Sequence, residues 1–350
     1  MSKDSGVKSK RKGKAIKRRR TVPIKKDGAS GSSSSLTLDE ARDYVYSYKR
    51  SEGLRTKTVV EYIKYADYLR DWLAEFYPEI KYIDEVTSGV IRDYINYLQR
   101  DHFNQRTKEF GLAPTTINIR LRNMSASFNT LHEEGVINVN PMATIRLLRT
   151  DEDTFIPLTD DEKVRLLSVP DQEEYAQFRD YVCMNLMLDT GIRGSEMFDT
   201  KIEYVDFKSR AIYLPGEITK NRKPRILPLS NEVMKLLIEL ITEVKHNWPE
   251  TEYVFVSNFG EKYLPTSFTR RVRRYKDRAK ISKQVSPHGL RHQFCRDYIL
   301  NGGDVFSLQR IAGHSDIATT RKYVQLSGED ISGEHARFSP IARLRRRNSR

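Results

Sequence analysis

Four separated segments of this chain carry side chains of the kinds that phosphoryl transfer without a metal requires. The first, Thr190-Gly191-Ile192-Arg193-Gly194-Ser195-Glu196, closes an apolar helical pattern. An arginine fork can hold two phosphate oxygens at once, and Glu196, three residues on, shares its face and can orient it. The same spacing also describes an ordinary surface ion pair. The second segment, Thr219-Lys220-Asn221-Arg222-Lys223-Pro224-Arg225, lies between two strand patterns. A lysine on such a turn can protonate a leaving oxygen, or it can be no more than a basic hairpin tip. The third, Pro287-His288-Gly289-Leu290-Arg291-His292, opens a helix. His288 and Arg291 share a face there, beside a helix N-terminus that favours an anion. His288 and His292 have metal-ligand spacing, but there is no His-Glu-x-x-His pattern or cysteine pair, so no metal site is expected. The fourth runs from Ala312-Gly313-His314 to Arg321-Lys322-Tyr323. A phenol with a pKa of about 10 is a poor nucleophile unless cations and donors stabilise its phenolate. Tyr323 is one of 19 tyrosines, so a place in the core is its ordinary alternative.

Groups this far apart need a scaffold that brings them together. Residues 1–35 read as a basic disordered arm ending in a Gly/Ser linker. Residues 36–135 read as four helices. The first opens at Thr37 or Leu38, with Ala41, Tyr44, Val45 and Tyr48 on one face. The second runs from about Lys57 to Phe76, with Val60, Ile63, Ala66, Leu69 and Leu73 inward. The third follows Thr87-Ser88 and buries Val90, Ile91, Tyr94 and Leu98. The fourth begins after Pro114-Thr115 and stops at Gly135. Residues 136–158, with Pro141 and Asp151-Glu152-Asp153, read as a linker. A second domain, 159–330, begins on an N-cap and acids at Thr159–Glu162, followed by a helix over about 174–190. Three short strands follow, at 202–207, 211–214 and 225–229. Helices return at 231–246, 267–279, 288–300, 305–311 and 319–326. Residues 331–350 form a second basic tail. The fold class is mainly α with a small antiparallel β-sheet.

The net charge of +14 sits at the two ends. Residues 1–35 carry +10 and residues 335–350 carry +6, which leaves the remainder near −2. Such tails bind phosphate without sequence preference, or are simply solvated. Charge alone therefore does not establish a DNA-binding protein. Cys183 and Cys295 lie in apolar helical patterns and read as buried thiols of a reducing compartment. No apolar run approaches the ~20 residues that span a bilayer, and the charged N-terminus is not a secretory signal. The expected location is cytoplasmic, or nuclear in a eukaryotic host.

Taken together, the four segments resemble the tyrosine recombinase (phage integrase) family, Xer/integrase-like, over about residues 38–330. The motifs are Thr-Gly-x-Arg-x-x-Glu, the Lys220 turn with Arg225-Ile-Leu-Pro-Leu229, His288-x-x-Arg291-His292, and Gly313-His314 with Tyr323 nine residues later. The resemblance implies a helical (SAM-like) core-binding domain and a mixed α/β catalytic domain closing on DNA as a C-shaped clamp. It implies that Arg193 and Arg291 clamp the scissile phosphate and that Lys220 protonates the 5′-hydroxyl. His288 would handle the nucleophile's proton, and His314 would donate to a phosphate oxygen. Tyr323 would form a 3′-phosphotyrosyl link, with Glu196 and His292 in support. Gly194-Ser195 departs from the family's usual apolar residue, which bears on local packing. Neither cofactor nor metal is implied. The implied partners are double-stranded recombination sites, a homotetramer on DNA (monomer or weak oligomer when free) and an accessory DNA-bending or directionality protein. The basic stretch Arg270, Arg271, Arg273, Arg274 and Lys276 is a candidate DNA contact, with a solvated face as its alternative. The rival readings are a type IB topoisomerase and an inactive DNA-binding relative. The four-helix domain and compact motif spacing favour the recombinase over the first. Against the second, every expected catalytic position is filled.

Overall fold

In this computed structural model, which describes residues 35–105, 107–150, 155–317, 319, 320, 323 and 341, Thr37 starts the first helix. Its hydroxyl accepts from the Glu40 amide while the Glu40 carboxylate accepts from the Thr37 amide at 2.9 Å, a reciprocal cap that satisfies two orphan donors. Helices α1 (Leu38–Ser51), α2 (Thr56–Phe76), α3 (Ser88–Arg100) and α4 (Pro114–Glu133) build the first of two units, which divide at Glu152. Leu73, Ile91, Tyr94, Leu98, Ile117 and Leu121 form its dry centre. The buried face of α2 differs from expectation: Val59 turns inward and Val60 is 51% exposed. Trp72 sets that phase, because its ring packs on Tyr94 at 5.0 Å and Tyr77 at 5.4 Å, and so large a ring dominates the packing. A hairpin of β1 (Phe103–Asn104) and β2 (Glu109–Phe110), unforeseen in the sequence, joins α3 to α4. Part of the expected linker packs on this unit as well. Ile137 and Met142 are buried there, and the Asn118 amide bonds both the carbonyl and the N–H of Leu148 at 2.9 and 2.8 Å.

The second unit opens with α5 (Asp160–Leu167), capped by Thr159 and Glu162 in the same reciprocal way. Its axis is α6 (Tyr175–Thr190), apolar on nearly every side, with Val182, Cys183, Met184 and Leu186 wholly buried. A helix buried all round belongs at the centre of its domain. Then come α7 (Gly194–Phe198) and a three-stranded antiparallel sheet in the order β3 (Val205–Asp206), β4 (Ala211–Leu214), β5 (Arg225–Pro228). The expected strand at 202–207 is half a 3₁₀ turn, Ile202–Tyr204. Helices α8 (Asn231–Asn247), α9 (Pro265–Arg278), α10 (Pro287–Leu300) and α11 (Val305–Ala312) complete the unit. Of the helix expected at 319–326, Thr319, Thr320 and Tyr323 are helical and the rest lies outside the described residues. The 1–34 arm also lies outside them, as does the 331–350 tail apart from Ile341. Both cysteines are free and buried. Among the described residues no helix is long and apolar enough to cross a membrane.

Gly191 ends α6 in the left-handed conformation, φ +61°, its amide bonded to the Met187 carbonyl at 2.9 Å. A Cβ there would run into the Phe294 ring of α10. This turn therefore both stops α6 and fixes its distance from α10. Gly191→Ala should destabilise the protein by more than about 1 kcal/mol, the usual cost of a left-handed alanine, because a steric cost is added. Urea denaturation measures that loss.

Candidate active site

The Gly191 turn delivers Ile192 into the core and leaves Arg193 extended, as the N-cap of α7. One turn later Glu196 is fully buried. Its Oε1 accepts from Arg193 Nη1 at 3.0 Å and Arg225 Nη1 at 3.1 Å, and its Oε2 accepts from Arg225 Nη2 at 2.6 Å. The Lys220 amide also points at Oε1, at 3.4 Å. Burial alone would raise the pKa of Glu196. The Arg225 bonds and charge, with Arg193, outweigh it and hold the carboxyl below its usual range. One carboxylate thus joins the Arg193 segment, the Lys220 turn and strand β5. Gly194 faces open space and Ser195 is exposed, so the small residues there leave no gap in the core.

Arg225 was not among the expected site residues. The signal was present in its strand: Arg225, Leu227 and Leu229 alternate with exposed Ile226 and Pro228, so period two puts the guanidinium on the inner face.

Three arginines then meet the C-terminal end of α11. Arg225 Nε donates to the Ile311 carbonyl at 3.0 Å, Arg291 Nη2 to Ala312 at 2.7 Å, and Arg193 Nη2 to Gly313 at 2.6 Å. The last carbonyls of a helix lack intrahelical partners and form its negative end, so cations belong there. Arg291 also donates to the Gly191 carbonyl, which ties α10 to the α6 turn. Gly313 is left-handed, φ +64°, and a Cβ on it would sit 3.1 Å from the Arg225 guanidinium. The glycine lets α11 end against the arginines and releases His314 beside them. An open cleft of about 810 Å³ borders this cluster, lined among others by Asn221, Lys223, Arg225, Gly313 and His314.

His314 Nδ1 lies 2.9 Å from the Thr320 hydroxyl, and its ring is nearly parallel to that of Tyr323, centroids 6.5 Å apart. Tyr323 is 5% exposed and its hydroxyl is hydrogen-bonded to His292 Nδ1. His292 Nε2 lies 2.8 Å from His288 Nε2. Among the described residues no group of three or more His, Cys, Asp and Glu could hold a metal ion.

Burial raises the Tyr323 phenol above its ordinary value, the Cys295 thiol adds to the rise, and Arg291 opposes it. Burial, then the charges of Arg291 and Arg193, push His314 down to about 4. His288 is lowered too: its ring reaches solvent, but the protein packed around it displaces enough water to disfavour the charged form, and Arg291, Arg193 and Lys220 add to the effect. Arg291 falls to about 10, mainly through burial, and stays protonated at neutral pH. Three guanidiniums facing one carboxylate leave a surplus of positive charge, which a phosphate would satisfy.

The structure therefore gathers Arg193, Glu196, Arg291, His314, His288, His292 and Tyr323, with Lys220 attached through its backbone and its side chain exposed. The α9 candidates divide. Arg270, Arg273 and Arg274 are exposed, and Lys276 is half-buried beside Asp277 at 3.3 Å. Arg271 turns inward instead, paired with buried Asp180 and donating to the Tyr275 hydroxyl at 2.7 Å. Arg271 thus has a structural role that the basic run does not reveal, sharing the buried Asp180 carboxylate with Arg179.

The sequence profile of the phage integrase family matches residues 157–329, and that of the phage integrase SAM-like domain matches residues 38–147. Tyrosine recombinase XerD of Staphylococcus epidermidis is 27% identical over 308 residues, covering 86% of this chain and 98% of its own. Tyrosine recombinase XerC of Thermodesulfovibrio yellowstonii is 26% identical over 239 residues, 67% of this chain and 78% of its own. The fold is shared with the Tn1549 transposon integrase in complex with a circular intermediate DNA, with TM-score 0.65 and 22% identity over 83% of this chain and 95% of that one. It is shared too with a lambda integrase tetramer bound to a Holliday junction, with TM-score 0.64 and 19% identity over 83% and 78%.

Two predictions follow from the electrostatics of the cluster. Arg225→Met and Glu196→Gln should each cost about 3 kcal/mol, the usual penalty for orphaning a buried charge partner. The double variant should cost less than the sum by about 1–3 kcal/mol, read from a denaturation cycle. The unfolded chain takes up the His314 proton near the ordinary 6.5, and the folded chain only near about 4. Stability is therefore full above 6.5 and falls as pH drops through that window. Urea midpoints between pH 7.5 and 4.5 should fall less steeply in His314→Asn than in the parent.

Proposed function

Because this chain belongs to the phage integrase family, we propose that it is a site-specific tyrosine recombinase that breaks and rejoins DNA through a 3′-phosphotyrosyl intermediate. The observation that carries the reading is the meeting of four distant segments on Glu196 and the end of α11. Tyr323 is the nucleophile, and Arg193 and Arg291 neutralise charge on the pentacoordinate transition state, the work a metal does elsewhere. Lys220, exposed on its turn, protonates the departing 5′-oxygen. His314 donates to a phosphate oxygen. Its low pKa is no obstacle: in the tautomer whose Nδ1 accepts from the Thr320 hydroxyl, Nε2 carries the hydrogen of the neutral ring. His288 helps to handle the nucleophile's proton.

The covalent link conserves the phosphodiester bond energy, so the reverse attack by another strand's 5′-hydroxyl completes exchange without an external energy source. The chain acts on double-stranded DNA as a multimer that brings two sites together; the lambda integrase tetramer on its Holliday junction supports that reading. Arg270, Arg273, Arg274 and Lys276 contact the phosphate backbone, and the basic ends add non-specific affinity.

The test begins by footprinting the DNA that flanks the encoding gene to locate the site. A nicked suicide duplex carrying that site should trap the parent covalently at Tyr323. Tyr323→Phe should lower trapping by roughly 10³-fold or more while leaving DNA affinity unchanged. Equal trapping by Tyr323→Phe would refute the nucleophile. Supercoil relaxation without exchange between two sites would refute recombination.

A further inference from the structure

The imidazole that touches Tyr323 is His292, not His288. We propose that His292 is the catalytic base that takes the Tyr323 proton and relays it to His288, an inference that rests on Tyr323 as the nucleophile. His292 Nδ1 is hydrogen-bonded to the phenol oxygen, and its other nitrogen, Nε2, lies 2.8 Å from His288 Nε2. The relay needs one particular pair of tautomers, which these contacts accommodate. A phenol that donates to Nδ1 requires the His292 hydrogen on Nε2, and that hydrogen then needs a lone pair on His288 Nε2. His288 consequently carries its own hydrogen on Nδ1. The result is a continuous donor–acceptor line from a buried phenol through half-buried His292 to exposed His288.

Both imidazoles rise from one face of α10, four residues apart, which holds them in register. Phe155 packs on the His292 ring at 5.4 Å and restrains its rotation. The other neighbours of the phenol are less suited to the task. The Cys295 thiol is kept neutral by burial, and His314 Nδ1 is engaged with Thr320. Water has little access to a side chain that is 5% exposed.

As the Tyr323 oxygen bonds to phosphorus, its O–H bond breaks and the proton passes to His292 Nδ1. The His292 Nε2 hydrogen passes to His288 Nε2, and the 5′-oxygen leaves with a proton from Lys220. One proton enters the imidazole pair and one leaves the lysine, so charge balances. Among the described residues, the groups facing the pair include Arg193, Lys220 and Arg291 toward His288, and Tyr323, Cys295 and His314 toward His292 and the phenol. The three cations disfavour a lasting imidazolium, so His288 hands its proton on to water. Rejoining runs the same line backwards.

The test uses the full chain on its mapped site, with either an ordinary scissile phosphate or a 5′-bridging phosphorothiolate, whose thiolate leaves without needing a proton. Lys220→Ala should be slow on the ordinary duplex and restored on the phosphorothiolate. His292→Asn keeps an acceptor near the Nδ1 position but cannot relay. It should cleave both duplexes about 10²–10³-fold more slowly, with unchanged DNA affinity and melting temperature. Its rate should climb steadily with pH as hydroxide replaces the base, where the parent is flat. If His292→Asn lowers melting, His292→Gln takes its place with the same expectation. Parent-like cleavage of the phosphorothiolate with an unchanged pH profile would overturn the relay while Tyr323→Phe remains silent. Cleavage by Tyr323→Phe is a different result, which removes the nucleophile itself.

Discussion

Glu196 is a carboxylate with no exposed surface, and the site is organised by what is needed to keep it charged. A buried carboxylate without partners would be neutralised at a cost of several kcal/mol. Here two guanidiniums and two backbone amides surround it. These partners come from three parts of the unit: the turn after α6, the hairpin loop and strand β5. The requirement to solvate one charge therefore sets the relative positions of three segments that local propensity alone would leave independent.

The end of α11 extends the same arrangement. Its carbonyls need donors, and Arg193, Arg225 and Arg291 need acceptors, so three consecutive residues, Ile311, Ala312 and Gly313, take one guanidinium each. This fixes where α11 stops and hence where His314 begins. Gly191 and Gly313 make the approach sterically feasible, because a Cβ at either would collide with Phe294 or crowd Arg225. Much of the site is thus built from helix ends and turns. The apolar mass of α6 and α10 serves to hold those ends still.

That division explains what could be read in the sequence. Helices with clear caps and period, such as α1 after Thr37 and α3 after Thr87, appear where their residues place them. The motif residues Arg193, Glu196, His288, Arg291 and His314 were legible only together: taken singly, segments such as the Arg193–Glu196 pair have ordinary alternatives, and it is their joint order and spacing that carry the resemblance. Arg225 was harder to see: its role comes from strand phase and a partner 29 residues away. Arg271 misled for the converse reason, since a basic run reads as a solvated face unless its buried acid, Asp180 on α6, is known. The Phe103–Phe110 hairpin carries too few residues for any period to register. On α2, counting only aliphatic residues misplaced Val60, because Trp72 governs the phase.

A guanidinium has five N–H donors, and how each arginine spends them separates their roles. Arg225 uses Nε, Nη1 and Nη2 on Ile311 and Glu196, and its side chain is 8% exposed. Arg193 commits one donor to Glu196 and one to Gly313, and Arg291 one each to Gly191 and Ala312. Among the described residues, each of these two keeps three donors for another acceptor. On the proposed reading, the carbonyl bonds would not compete with a phosphate; they would aim the forks before it arrives, so that less orientational freedom is lost on binding. Arg225 supplies the rigidity and Arg193 with Arg291 the surplus. A lysine in place of either would keep the charge but lose the planar fork that can hold a carbonyl with one arm and leave the other for a second acceptor.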